Sequence, residues 1–236
     1  MRHARRLIVG GAAALTLLAA TTFGSFSAAA QESDVDLALV LAVDCSFSVD
    51  SREFRLQMEG LGFAFTSAEV KEAIAKGPRQ RIAVTVVQWS DERNQMVVLP
   101  WTIIAGAADA DELGQILASM PRRLAEGGTS ISMALEFSAA LFASAPSADR
   151  HVIDVSSDGR NNIGPPVNLS RDRVVAQGIT INGLVILNEW PTLDVYFEMN
   201  VVGGHANFVM PAEDYEAYRE AIRRKLVREI TGPGIS

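Results

Sequence analysis

Five oxygen-bearing residues stand where strand-like runs of this chain give way to loops. One run ends in Asp44-Cys45-Ser46-Phe47-Ser48, a later loop reads Glu126-Gly127-Gly128-Thr129-Ser130, and a third segment ends in Ser156-Ser157-Asp158-Gly159. The carboxylates of Asp44 and Asp158 with the hydroxyls of Ser46, Ser48 and Thr129 make an oxygen-only donor set. Such a set suits a hard divalent cation, magnesium first, with manganese or calcium as alternatives. Two negative charges neutralise the ion, while uncharged hydroxyl ligands leave it Lewis-acidic. Alternation along Asp44, Ser46 and Ser48 lets three side chains converge, with Cys45 and Phe47 pointing elsewhere. Gly127-Gly128 lets the second loop approach closely, and Gly159 permits a tight turn after Asp158.

Each of these residues also has a plainer use. Asp and Ser after a strand commonly cap the next helix, and Ser48, Asp50 or Ser51 could do so here. The presence of all three loops favours metal binding over capping. Cys45 reads as a small packing residue. A single cysteine excludes an intrachain disulfide, a zinc ribbon and an iron–sulfur cluster. His151 and His205 have no spacing to an acid or serine that would form a catalytic set.

Enzyme readings find little support. A haloacid-dehalogenase-like phosphatase needs a second acid where Ser46 stands, and a receiver domain needs an earlier acidic pair and a placed lysine. The chain has no G-x-S-x-G elbow, Walker A loop or dinucleotide glycine fingerprint. It therefore reads as a non-enzyme. A metal-dependent, phosphatase-like hydrolase using the same oxygen cluster is the alternative, disfavoured by the missing general base.

The elements needed to position the cluster can be read from the apolar pattern. The unbroken run 36–43 predicts a parallel strand covered on both faces. Phe54, Met58, Leu61 and Phe65 share one face of a helix beginning at Ser51 and stopped by Gly77-Pro78. Strands at 81–89 and 95–104 flank a polar turn and form a hairpin. Helices are expected at 109–120 and 130–143, a strand at 151–155, a short helix near 171–177 and a strand at 179–187. A brief strand at 207–210 precedes a last helix, 212–230, with Tyr215, Tyr218, Ile222 and Leu226 on one face. The fold class is α/β: an open, doubly wound, mostly parallel sheet with one antiparallel edge strand and helices on both faces. Ligands of such sheets bind outside the carboxyl ends of the strands, where the strand order reverses.

The 236 residues include 21 Lys+Arg and 28 Asp+Glu, a net charge of −7, which argues against nucleic-acid binding. Residues 1–30 read as a secretory signal: Arg2, Arg5 and Arg6, an apolar run from Leu7 to Ala20, then Ala28-Ala29-Ala30 before Gln31. The run is too short and too rich in small residues for a convincing spanning helix. Its removal leaves 18 basic against 28 acidic residues, a net charge of −10, and a single domain, 31–236. The expected location is secreted, in the periplasm, with no stable membrane anchor after cleavage. The Arg5-Arg6 pair leaves the export route open.

D-x-S-x-S after the first strand, the Gly-Gly-Thr loop and S-D-G after the fourth strand resemble the metal-ion-dependent adhesion site (MIDAS) of von Willebrand factor type A (VWA) domains. The resemblance covers about residues 34–230. It implies the strand order 3-2-1-4-5-6, with Ser46, Ser48 and Thr129 touching the metal and Asp44 and Asp158 acting directly or through water. It also implies a protein partner whose carboxylate completes the coordination. Gly203-Gly204 and the ending Lys225-Leu226-Val227-Arg228-Glu229-Ile230 are similar to a bacterial VWA-like secreted group that supplies no mechanism. In the implied order, the turn after Asp158 and the end of the fifth strand border the cation. Arg160, Asn161, Glu189 and Trp190 are therefore the candidate partner-binding residues, with Trp190 as an exposed anchor or, alternatively, a cover for the sheet end.

Overall fold

The computed structural model describes residues 34–232. The leader assigned to residues 1–30 lies outside the described residues. A continuous apolar run can be stable as a strand only if both of its faces are covered, and β1 (Leu37–Asp44) is buried along its whole length. Leu37, Leu39, Leu41 and Val43 enter one hydrophobic cluster, and Val40 and Ala42 enter the other. Each leucine withdrawn from water contributes roughly 1.5–3 kcal/mol. β1 is therefore the spine on which the rest of the sheet is positioned.

On one side of it lie β2 (Ile82–Trp89) and the antiparallel edge strand β3 (Gln95–Ile104); on the other lie β4 (His151–Ser157), β5 (Thr180–Ile186) and β6 (Val209–Ala212). The order is β3-β2-β1-β4-β5-β6, parallel except for the β2–β3 pair. The order reverses between β1 and β4. One face is covered by α1 (Ser51–Thr66), α2 (Ala68–Lys76), α3 (Ala107–Ala118) and α7 (Tyr218–Thr231). The other carries α4 (Ile131–Leu141), α5 (Val167–Val175) and α6 (Leu193–Asn200). No helix among the described residues is long and apolar enough to cross a membrane.

Three elements differ from the sequence expectation. The helix expected from Ser51 to Gly77 is two helices, because Ser67 is extended and its Oγ donates to the Ala64 carbonyl at 2.6 Å while accepting from Val70 N at 3.4 Å. Serine offers the backbone these local bonds in place of the helical ladder. α6 was not expected; its Phe197 seats against Gly183 of β5, where an added Cβ would lie 2.6 Å from the ring. The final helix starts at Tyr218 rather than residue 212, so Tyr215 sits in the β6–α7 loop.

α7 is pinned to β4 by a buried ionic cluster. Lys225 Nζ lies 2.6 Å from Asp154 Oδ1 and donates to Glu229 Oε1 at 2.5 Å, and Asn182 Nδ2 donates to the same Glu229 oxygen at 2.8 Å. All four residues are buried. Burial, then the Glu229 charge, pushes the Asp154 carboxyl up to about 7, against the opposing effect of Lys225.

Candidate metal centre

The carboxyl edge beside the β1–β4 boundary is stitched together by backbone hydrogen bonds before any side chain is considered. Cys45 N donates to Trp89 O at 2.7 Å, Phe47 N to Gly127 O at 2.8 Å, Ser130 N to Ser90 O at 2.8 Å and Asn162 N to Thr129 O at 2.9 Å. These bonds bring the loops after β1, before α4 and after β4 to one place. Arg122 clamps the first loop, with Nη2 donating to Cys45 O at 2.6 Å and Nη1 to Val49 O at 2.8 Å.

Helix capping does not consume the serines. Asp50 is the N-cap of α1: its Oδ1 accepts from Arg52 N at 2.6 Å and Glu53 N at 2.8 Å, and Glu53 Oε2 accepts from Asp50 N at 2.8 Å. This reciprocal box leaves Ser46 and Ser48 to turn toward the sheet edge. Their hydroxyl oxygens are 3.2 Å apart, and Ser48 Oγ donates to Asp158 Oδ1 at 2.7 Å. Thr129 belongs to the same cluster, since a Cβ on Gly159 would lie 3.6 Å from Thr129 Oγ1 and 3.9 Å from Ser48 Oγ.

Every carboxylate oxygen in the cluster accepts a hydrogen bond from the protein. Asp44 Oδ1 accepts from Ser46 N at 2.7 Å and Oδ2 from Ser157 Oγ at 2.5 Å. Asp158 Oδ1 accepts from Ser48, and Oδ2 accepts from Tyr215 OH at 2.9 Å. Asp44 and Asp158 are fully buried, and among the described residues neither has an ion pair. Burial, then the nearby Asp158 charge, pushes the Asp44 carboxyl up to about 7. Burial also raises Asp158, opposed by the bonds from Ser48 and Tyr215. Two buried acids with hydroxyl oxygens beside them and no cationic side chain paired to them fit a divalent cation by charge and by donor type.

Cys45 and Phe47 both leave the cluster, in different directions. Cys45 is buried, its thiol raised to about 12 by burial, and packs in the core. Phe47 is 76% exposed beside the serines. Trp190 is 46% exposed, with the Arg160 guanidinium 4.9 Å from its ring centre, so it does not fold inward over the sheet end. Arg160 Nη2 also donates to Thr192 Oγ1 at 2.9 Å. Glu189 is exposed. Asn161 is occupied in holding its loop: Oδ1 accepts from Ser132 N at 3.1 Å and Nδ2 donates to Ile163 O at 3.0 Å.

The supporting roles of four residues escaped the sequence reading, although Asn162 was expected in the turn bordering the cation. Ser157 holds Asp44, Tyr215 holds Asp158, and Arg122 holds the first loop. Asn162 holds Thr129, accepting from its backbone N at 2.9 Å and donating to its Oγ1 at 3.4 Å. Ser157 and Asn162 lie within or beside the motifs and could have been found there. Tyr215 and Arg122 carry no local signal.

A family model described as a protein of unknown function (DUF1194) matches residues 34–234. No curated protein matches the chain in sequence. Among solved structures, a von Willebrand factor type A protein from Catenulispora acidiphila is similar at 17% identity and a TM-score of 0.58, over 83% of this chain and 43% of that one. Proximal thread matrix protein 1 from the mussel byssus, with a zinc-occupied MIDAS motif, is similar at 16% identity and a TM-score of 0.61, over 85% of this chain and 49% of that one. The pilus adhesin SpaC from Lactobacillus rhamnosus GG, in an open conformation, is similar at 13% identity and a TM-score of 0.60, over 85% and 30%. The chain thus spans half or less of the length of these proteins. At such identities the similarity establishes the fold, which is that of a VWA domain.

Proposed function

The chain belongs to the DUF1194 family and has a VWA fold, and from that premise we propose that it is a secreted, periplasmic binding module that engages an acidic group of a protein partner through a divalent cation. The observation that carries this reading is the occupancy of all four carboxylate oxygens of Asp44 and Asp158 by protein donors. Ser46, Ser48 and Thr129 are then the residues whose oxygens would hold the ion directly, with the two acids behind them. A divalent cation held mainly by uncharged oxygens supplies Lewis acidity toward an incoming anion. Magnesium is the proposed ion. The zinc-occupied MIDAS of the mussel protein supports a divalent cation without selecting magnesium.

Binding is favoured over hydrolysis because Tyr215, the titratable side chain that touches the cluster from outside the proposed ligand set, supplies no base. Tyr215 touches Asp158, and burial, then the charges of Asp158 and Asp44, hold its hydroxyl protonated far above the ordinary tyrosine range. It serves as a donor to the carboxylate rather than as a base for water. The periplasmic location rests on the leader pattern in residues 1–30.

The test is capture from periplasmic extract on immobilised protein, in magnesium and in EDTA, for wild type and Asp158→Ala. A partner released by EDTA and absent with the mutant is expected. Identical capture under all four conditions contradicts the reading.

A further inference from the structure

The surroundings of the hydroxyl cluster restrict what kind of carboxylate fits there, an argument that rests on the cation-binding reading above. Three apolar side chains from three loops are exposed on its border. Phe47, between the two site serines, is 76% exposed, Ile163 is 40% exposed and Trp190 is 46% exposed. Their placement is set by the same contacts that build the site. Phe47 N is bonded to Gly127 O at 2.8 Å, and a Cβ on adjacent Gly128 would lie 2.9 Å from Ile163 Cγ2. Trp190 is held by Arg160, next to Gly159, which faces Thr129 and Ser48.

Exposed aromatic side chains on loops held in place bring large contact areas with few rotatable bonds to immobilise and serve as interface anchors. The border carries one guanidinium, Arg160 beside Trp190, but on the side of α1 it is acidic. Glu53 has its carboxyl raised by burial first, with Asp50, Asp158 and Glu189 adding repulsion. A run of acidic residues would meet this repulsion, whereas one carboxylate between apolar neighbours would meet the ion and the three apolar side chains.

We propose that the partner presents a single Glu or Asp flanked by apolar residues, with Phe47 and Ile163 contacting one flank and Trp190 the other. This excludes both small free carboxylic acids and polyacidic segments as the preferred ligands.

Three capped peptides test the proposal: one Glu between leucines and phenylalanines, the same Glu between glycines, and pentaglutamate. Each is titrated in magnesium and in EDTA, with binding read by calorimetry and by intrinsic tryptophan fluorescence, the part due to Trp190 identified with Trp190→Phe. The apolar-flanked peptide is expected to bind at least about tenfold more tightly than the other two in magnesium, with no such binding in EDTA. Phe47→Ser and Ile163→Ser, both at exposed positions, should each remove most of that advantage and leave magnesium affinity unchanged. Equal affinity for the apolar- and glycine-flanked peptides, or tighter binding of pentaglutamate, overturns the proposal while the cation-dependent reading stands. Absence of magnesium-dependent binding for all three peptides overturns both.

Discussion

Tyr215 donates its hydroxyl to Asp158 Oδ2 at 2.9 Å, joining the β6–α7 loop to the end of β4 across 57 positions of sequence. The bond directs the remaining oxygen of Asp158 to Ser48 and so orients a hydroxyl at the centre of the cluster. Tyr215→Phe keeps the packing and removes the donor. It is expected to weaken divalent-cation affinity by about tenfold, the usual cost of losing an outer hydrogen bond to a ligating group. The thermal midpoint should fall by only a few degrees. Calorimetric titration and a thermal melt of the variant check both outcomes.

Capping and cation binding are assigned to different residues, and two substitutions separate them. Asp50→Ala removes both bonds that cap α1 and should cost about 1 kcal/mol of stability, with cation affinity close to wild type. Ser48→Ala should do the reverse, abolishing most cation binding with little change in the urea midpoint.

Asp154 gives the fold a specific dependence on pH. It faces Lys225, Glu229 and Tyr218 of α7, and its carboxyl in the fold sits at about 7 against 3.8 for a free carboxyl. The folded value lies above the unfolded one, so the fold favours protonated Asp154. That contribution is complete below about pH 4 and is lost as the pH rises toward 7, by up to roughly 4 kcal/mol. Asp154→Asn cannot titrate. The stability of wild type relative to this variant should therefore fall between pH 4 and 7 and level off above it. Denaturant unfolding at several pH values measures the difference, in which acids remote from the Asp154, Glu229 and Lys225 cluster cancel.

The sheet was legible in the sequence because its central strand β1 is buried on both faces and reads as an unbroken apolar run, with shorter apolar runs marking its neighbours. The hairpin strand β3 ends at the expected residues, Gln95 and Ile104, since a polar turn marks its start. The meeting of Asp44, Ser46, Ser48, Thr129 and Asp158 at one edge of the sheet was legible because each lies at a strand end or in the glycine loop. Ser67 was not, since a serine can sit inside a helix as easily as end one. The orientation of Phe47 was half legible: alternation turns it from the cluster but does not distinguish the core from solvent. Tyr215 and Arg122 act on residues 57 and 77 positions away, and only the closed fold reveals such partners.

The most direct measurement is a titration of the purified protein with manganese and magnesium, following binding by calorimetry and by the electron paramagnetic resonance of free manganese. Wild type should bind one ion, with magnesium competing for the manganese site. The double variant Asp44→Ala, Asp158→Ala, shown by circular dichroism to be folded, should lose that binding. Equal binding by wild type and the folded double variant would contradict the account.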